Sequence, residues 1–301
     1  RTAWAGIKAR SALWEGFPHL CFRPARRLPM RGGTATLRPR VDARPRAPTR
    51  MGAIVPHRPS RDWWGFFPSL EHTVTTIPLP QAPTPRASVV IDYQNVHMLA
   101  RECFAPDRPL HEVLIDPLLF AEELVRRRNA AQGEGYPHIK LGKVLVYRGL
   151  PSSEYDPEAN SYNLQQKHHW ERDGRVQVVH RPLRYRIERD PYGTPILDIN
   201  GQKTIIEKRE KGIDVLCALA VVREAASPTT QVVIIASHDS DLEPAIEEAR
   251  RLGSAKVEVC RWHSEQWVYQ LRAQSGAPVW CTRLDQSSFQ VCLDTTPYEP
   301  L

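Results

Sequence analysis

The chain has 301 residues, of which 41% are hydrophobic and 25% are charged. This ordinary globular composition excludes both a chain too polar to form a core and a small scaffold stapled by disulfides. No stretch approaches the roughly 18 uninterrupted apolar residues of a membrane-spanning helix, so we expect no membrane partner.

The formal net charge of +7 is concentrated in the first 85 residues. They hold 14 Lys and Arg against 4 Asp and Glu, which leaves residues 86–301 with a balance of −3. Frequent prolines and the lack of an apolar period predict a disordered Arg/Pro-rich leader over 1–85. Three other interpretations stay open: an over-extended reading frame whose true start is near Met30 or Met51, an organelle transit peptide, and a basic arm that binds RNA phosphates.

The six cysteines form no C-x-x-C pair and show no zinc-ligand spacing. Cys217 and Cys260 lie inside apolar segments that are typical of a core. A reducing compartment fits this usage best, so we expect a cytoplasmic protein.

Five short β-branched runs predict five strands, at 88–92, 144–147, 176–179, 232–236 and 257–260. Helical patterns lie between them, and strands that alternate with helices predict a parallel, doubly wound α/β sheet. The turn signals within 183–206 predict an inserted β-hairpin. We therefore expect one domain over 86–265, with residues 266–301 as a C-terminal extension that packs on the domain or trails from it.

Carboxylates follow the predicted strands at the edge where parallel sheets bind ligands. Asp92 ends the first strand and Asn95 follows one turn later, whereas Asp239 and Asp241 follow the fourth strand. Asp214 opens the helix before that strand. Taken alone, Asp214 and Asp241 are explained as helix caps, Asp239 as a turn residue and Asp92 as a loop residue at the end of a strand. Four together on one rim predict a site for Mg²⁺ or Mn²⁺, because crowded carboxylates repel one another unless a cation neutralises them.

Three segments carry a resemblance to a known family. They are Ile91-Asp92-Tyr93-Gln94-Asn95, Glu210-Lys211-Gly212-Ile213-Asp214 and Ser237-His238-Asp239-Ser240-Asp241. In order and spacing they resemble the motifs of the NYN family of PIN-like ribonuclease domains. The resemblance implies a PIN-like three-layer α/β/α sandwich with a central parallel five-stranded sheet, and Mg²⁺- or Mn²⁺-dependent hydrolysis of RNA.

The resemblance also implies the site. The metal ligands would be Asp92, Asp214, Asp239 and Asp241, and Asn95 would complete the catalytic set. Because the domain is slightly acidic, local basic residues must hold the RNA, and the candidates are Lys211, Arg148 and Lys208.

Two residues depart from the family pattern: Leu242 stands where the family commonly has an aromatic residue, and His238 is the other. His238 stands where the family commonly has Gly, and we expect the nearby acids to raise the pKa of its imidazole. His168 and His169 are adjacent on a predicted helix, where side chains point about 100 degrees apart, so they are poorly placed to share an ion.

The main alternative from another class is a non-catalytic RNA-binding or assembly module that keeps the PIN-like fold. A DNA nuclease is a further alternative, and the loop after the first strand lacks the glycines of a dinucleotide site. The sequence leaves open whether a second copy or another protein is a partner.

Overall fold

The computed structural model describes residues 83–265 and 269–298. The predicted leader therefore lies outside the described residues, except for its last three positions. The described chain forms the following elements in order: β1 (Arg86–Asp92), α1 (Tyr93–Phe104), α2 (Pro117–Ala130), β2 (Lys140–Leu150), α3 (Pro157–Trp170), β3 (Val176–Pro182), β4 (Arg184–Ile187), β5 (Ile205–Arg209), α4 (Ile213–Ala225), β6 (Val232–Ala236), α5 (Glu243–Leu252), β7 (Lys256–Trp262), β8 (Cys281–Leu284) and α6 (Gln286–Val291).

Six of the strands form one parallel sheet in the order β3-β2-β1-β6-β7-β8. The chain moves outward from β1 to β3, returns beside β1 as β6, and then moves outward to the other edge. The order thus reverses between β1 and β6, which is where doubly wound sheets bind ligands. The predicted α/β class with a parallel sheet is confirmed.

Helices cover both faces of this sheet. Along β1, Val89 and Ile91 pack in one apolar core together with α1 and α2, whereas Val90 packs in a second core with α4 and α5. The two-residue period of the strand thus directs alternate side chains to opposite faces. No helix among the described residues is long and apolar enough to span a membrane.

The predicted number of strands is wrong, because the sheet has six strands and not five. The sixth, β8, pairs with β7 and comes from the predicted C-terminal extension, whose helix α6 buries Phe289 in the first core. The sequence of β8, Cys-Thr-Arg-Leu, has no β-branched apolar run, and an edge strand needs none.

A separate antiparallel pair, β4 and β5, lies between β3 and α4, where the hairpin is predicted. Its strands lead directly into Glu210 and the start of α4. The hairpin therefore delivers the second of the three segments to the carboxyl edge of the main sheet.

A candidate active site at the switch point of the sheet

Asp92 ends β1 and caps helix α1. The backbone N–H of Asn95 donates to its Oδ1 at 3.3 Å, and the hydroxyl of Ser237, which follows β6, donates to its Oδ2 at 3.3 Å. The carboxylate is 7% exposed. Asp92 therefore joins the ends of the two strands between which the order of the sheet reverses.

The loop after β6 is shaped by its own side chains. The N–H of Asp239 donates to the hydroxyl of Ser237 at 3.1 Å, and the N–H of Asp241 donates to Oδ1 of Asp239 at 3.0 Å. Asp239 thereby caps a short 3₁₀ turn over Ser240–Leu242. Asp239 is half-buried beside Asp92, whereas Asp241 is exposed.

Helix α4 begins at a tight turn on the same edge. Gly212, at the N-cap, has a φ of +79°, and a Cβ there would lie 3.2 Å from the guanidinium carbon of Arg181. Glycine is therefore favoured by both conformation and space. Asp214 lies in the first turn of the helix and is half-buried, and Lys211 beside the turn is exposed.

Glu210 is an acid that the sequence reasoning did not assign to the site, although it stands in the second motif. Its carboxylate accepts a hydrogen bond from the N–H of Gly149. The side-chain amide of Gln94, turned so that its nitrogen faces Glu210, donates to both oxygens at 2.7 and 2.9 Å. Burial raises the pKa of Glu210, against the lowering effect of Arg148.

The pKa of Asp92 is set by its burial and by the groups around it. Burial raises the pKa of Asp92 to about 7, and the charges of Glu210 and Asp239 add to the effect. The hydrogen bonds from Asn95 and Ser237 act in the opposite direction. Loss of solvation and repulsion between carboxylates thus outweigh two hydrogen bonds.

The pKa of Cys217, a buried thiol on α4, is affected by the same group of acids. Burial raises the pKa of Cys217, and the charges of Asp92, Glu210, Asp214 and Asp239 raise it further. The structure therefore brings four carboxylates to one end of α4, three of them predicted and one not.

Their chemistry fits a hard divalent cation. Asp92, Glu210, Asp214, Asp239 and Asp241 form no ion pair with any described residue. Oxygen donors without a basic partner suit Mg²⁺ or Mn²⁺. In the described part of the chain, however, no three of these acids hold ligand atoms within 4.8 Å of one another. The carboxylates would have to draw together around an ion.

A different trio does meet that distance within the described ranges: Asp116, His169 and Asp294. Each of these three side chains already has a hydrogen-bond partner. Asp116 caps α2, Asp294 accepts from the indole of Trp170 at 2.8 Å, and the His169 ring bonds the hydroxyl of Thr296 at 3.1 Å. The contacts of Asp294 and His169 fasten the C-terminal segment to α3, and the backbone N–H of Asp116 donates to the carbonyl of Cys292 at 2.8 Å.

The expectation for His238 is wrong. Burial and the charge of Arg261 on β7 lower the pKa of His238 to about 4. Its backbone N–H donates to Oδ1 of Asn95 at 2.7 Å, but both ring nitrogens are buried without a hydrogen-bond partner. Arg261 is the charged group that shifts the pKa of this ring, and none of the acids contributes to the shift.

The three predicted RNA-binding residues have different surroundings. Arg148 is buried, with its guanidinium carbon 4.5 Å from the centre of the Tyr93 ring. Lys208 is half-buried and pairs with Asp156 at 3.4 Å. Lys211 is exposed at the edge of the candidate site.

Comparisons with known proteins add little to this geometry. No protein-family model matches the chain, and no curated protein matches it. A crystal structure of a protein of unknown function, VPA0982 from Vibrio parahaemolyticus RIMD 2210633, is similar with a TM-score of 0.34 and 21% sequence identity. The likeness covers 60% of this chain and 84% of that one.

Proposed function

We propose that the protein is a divalent-metal-dependent ribonuclease with a PIN-like fold of the NYN type, which uses Mg²⁺ or Mn²⁺. The observation that carries the proposal is the buried Asp92 at the switch point. Its neighbours Glu210 and Asp239 are also acids, and no described basic residue pairs with any of the three. Such a concentration of charge is costly for the fold alone and is typical of a functional site.

Each side chain has a role in this proposal. Asp92 and Asp239 would hold the principal ion, and Asp214 and Asp241 would hold a second ion or orient the attacking water. Glu210 extends the carboxylate set on the side of β2. A bound divalent cation lowers the pKa of a water and offsets the charge that develops on a phosphate.

Two further residues position the site and the RNA. Asn95 keeps the loop after β6 against α1 through its bond to the N–H of His238. Lys211 is exposed beside the acids, where its charge can attract a phosphate of the RNA.

The five cysteines among the described residues are free thiols. This is the expected state in a reducing compartment, and a cytoplasmic location is part of the proposal.

The test is cleavage of mixed single-stranded and structured RNAs by the full chain in Mn²⁺, Mg²⁺ or EDTA. We expect cleavage with either ion, none in EDTA, and none by Asp239→Asn. Asp107→Asn, a substitution at an exposed aspartate after α1, is the matched control and should cleave like the wild type. Metal-independent cleavage, or full activity of Asp239→Asn, would contradict the proposal. RNA binding without cleavage would favour the non-catalytic module.

A further inference from the structure

A cleft adjoins the candidate site on the side of β2. Glu210 lines both, so the cleft begins where the carboxylate cluster ends. Tyr93 and Gln94, which directly follow Asp92, form one wall, and Leu110 and Leu183 add apolar surface. A group bound there would therefore lie next to whatever occupies the acidic edge.

The cleft contains a buried cation. The guanidinium of Arg148 lies over the rings of Tyr93 and Trp170, at 4.5 and 5.5 Å from their centres. It donates from Nη1 to Gln166 at 2.7 Å, and it forms no ion pair within the described ranges. A buried guanidinium with remaining N–H groups favours an acceptor on a bound molecule.

The cleft also contains an unused acceptor. Asn163, on α3, is 1% exposed and lines the cleft. Its Nδ2 donates to the carbonyl of Ala159 at 2.8 Å, whereas its buried Oδ1 accepts no hydrogen bond from the described chain. A buried polar atom without a partner costs free energy in the fold and commonly marks a place where another molecule binds.

We propose that this cleft binds one base of the RNA, and that it selects a base with an exocyclic amine. The inference rests on the proposed function and names the substrate group that its site would read. The Asn163 oxygen and the Glu210 carboxylate accept N–H groups, whereas Arg148 donates to a ring nitrogen or carbonyl. Adenine, cytosine and guanine offer an amine with two N–H groups, one for each acceptor. Uracil offers the single N–H of its ring and would leave one of the two acceptors without a partner.

The same set of groups argues against a phosphate in the cleft. Arg148 and Lys208 would attract a phosphate, but Lys208 is already paired with Asp156 at 3.4 Å, and the carboxylate of Glu210 and the oxygen of Asn163 would repel the anion. A flat ring with apolar faces also matches the walls formed by Tyr93, Leu110 and Leu183 better than a charged tetrahedral group does.

The experiment is an NMR titration of the metal-free full chain in EDTA with cytidine, adenosine, guanosine and uridine. These nucleosides carry no phosphate and EDTA removes divalent ions, so binding does not depend on a metal at the acidic edge. We expect each amine-bearing nucleoside to bind about tenfold more tightly than uridine, the effect of one hydrogen bond. The side-chain amide signals of Asn163 should shift on binding.

Asn163→Leu should reduce binding of the three amine-bearing nucleosides to the level of uridine. Gln165→Met, on the same helix and outside the cleft, is the matched control, since its amide also bonds one turn back, to Ser161 at 3.2 Å. Equal binding of all four nucleosides by the wild type would overturn the inference. So would unchanged Asn163 signals at saturation, a readout that needs no variant.

Failure of this inference is distinguishable from failure of the proposed function. Metal-dependent RNA cleavage with no base preference and no nucleoside binding would leave the ribonuclease and remove the base subsite. Selective nucleoside binding by a chain that cleaves no RNA would leave the base subsite and remove the ribonuclease.

Discussion

The backbone N–H of His238 donates a 2.7 Å hydrogen bond to the side-chain oxygen of Asn95. This bond crosses the switch point, because Asn95 lies in the first turn of α1 after β1 and His238 lies in the loop after β6. It holds Asp92 and Asp239 on facing loops. The relative position of the two acids therefore depends on a side chain that is not itself charged.

Asn95→Leu should disturb this alignment. The substitution leaves the N–H of His238 without its acceptor, which costs about 1 to 3 kcal/mol. We expect a lower free energy of unfolding, and a larger relative loss of RNA cleavage, since the loops no longer hold Asp92 and Asp239 together. Asn95→Asp keeps an acceptor oxygen and should retain more stability. Denaturant unfolding and cleavage assays of both variants decide the matter, and full cleavage by Asn95→Leu would contradict it.

Asp92 should make the metal-free protein less stable as the pH rises. Burial raises its pKa to about 7 in the folded state, above the ordinary 3.8 of the unfolded chain. The folded state therefore binds the proton more tightly, and the stabilisation present below pH 4 is lost as the pH rises to 7. At ~1.4 kcal/mol per pH unit, the loss from this group amounts to a few kcal/mol.

The measurement is the free energy of unfolding in EDTA between pH 4 and pH 8. We expect Asp92→Asn to flatten the decline of the wild type and to be the more stable protein at pH 8. Asp107→Asn, at an exposed position, should follow the wild type. Parallel curves for the wild type and Asp92→Asn would show that the buried carboxylate does not govern this range.

Mn²⁺ should stabilise the protein through the acidic edge and not through the trio near the C-terminus. Ligand at about 100 times its Kd adds ~2.7 kcal/mol, so the Tm of the wild type should rise with Mn²⁺. We expect Asp239→Asn to lose this increment. His169→Gln removes the imidazole of the trio with Asp116 and Asp294, and it should keep the increment. The reverse pattern in thermal melts would place the cation at the trio.

The sequence predicts the acids of this site better than it predicts their surroundings. The sequence predicts Asp92 and Asp239 because parallel strands end at a common edge, a rule that depends only on element order. The sequence does not single out Glu210, because it directly follows the hairpin strand β5 and its burial depends on contacts with Gln94 and Gly149 from distant parts of the chain. Side-chain burial of this kind is set by packing and has no local signal.

The edge strand β8 was missed for a related reason. Its four residues gain their structure by pairing with β7, and the buried Leu284 is its single strongly apolar residue. The fold class, in contrast, follows from long β-branched runs and helical periods that need no partner to be recognised.

A chain that ends at residue 265 should fail to fold cooperatively. It lacks β8 and α6, which bury Leu284, Phe289 and Cys292 against the first core and cover Trp262. The free energy lost when several fully buried side chains are removed exceeds the net free energy of unfolding of an ordinary domain. A chain that ends at Tyr298 is the control and should unfold like the full chain. Circular dichroism during heating decides this, and a cooperative transition in the shorter chain would contradict it.

His238 should destabilise the fold through its unpartnered ring. Both ring nitrogens are buried without a hydrogen bond, and burial with the nearby Arg261 lowers the pKa to about 4. Since the unfolded imidazole binds a proton more tightly than the folded one, stability should fall as the pH drops from about 6.5, the ordinary histidine value, toward 4. This is the opposite direction to the effect of Asp92.

His238→Leu keeps most of the volume and removes both unsatisfied nitrogens, so we expect it to raise the free energy of unfolding by about 1 kcal/mol. The gain should grow below pH 6.5, where the wild type loses stability as its unfolded state takes up protons. His238→Gly removes the same nitrogens but leaves a cavity, so it should be less stable than His238→Leu at every pH. Because the charge of Arg261 and none of the acids shifts the pKa of the imidazole, the pH dependence of Mn²⁺ affinity should be the same in the wild type and in His238→Leu. Unfolding curves and calorimetric Mn²⁺ titrations at pH 5.5 and pH 7.5 test both statements. A Mn²⁺ affinity that rises selectively at pH 5.5 in His238→Leu would show that the imidazole titrates against the metal site after all.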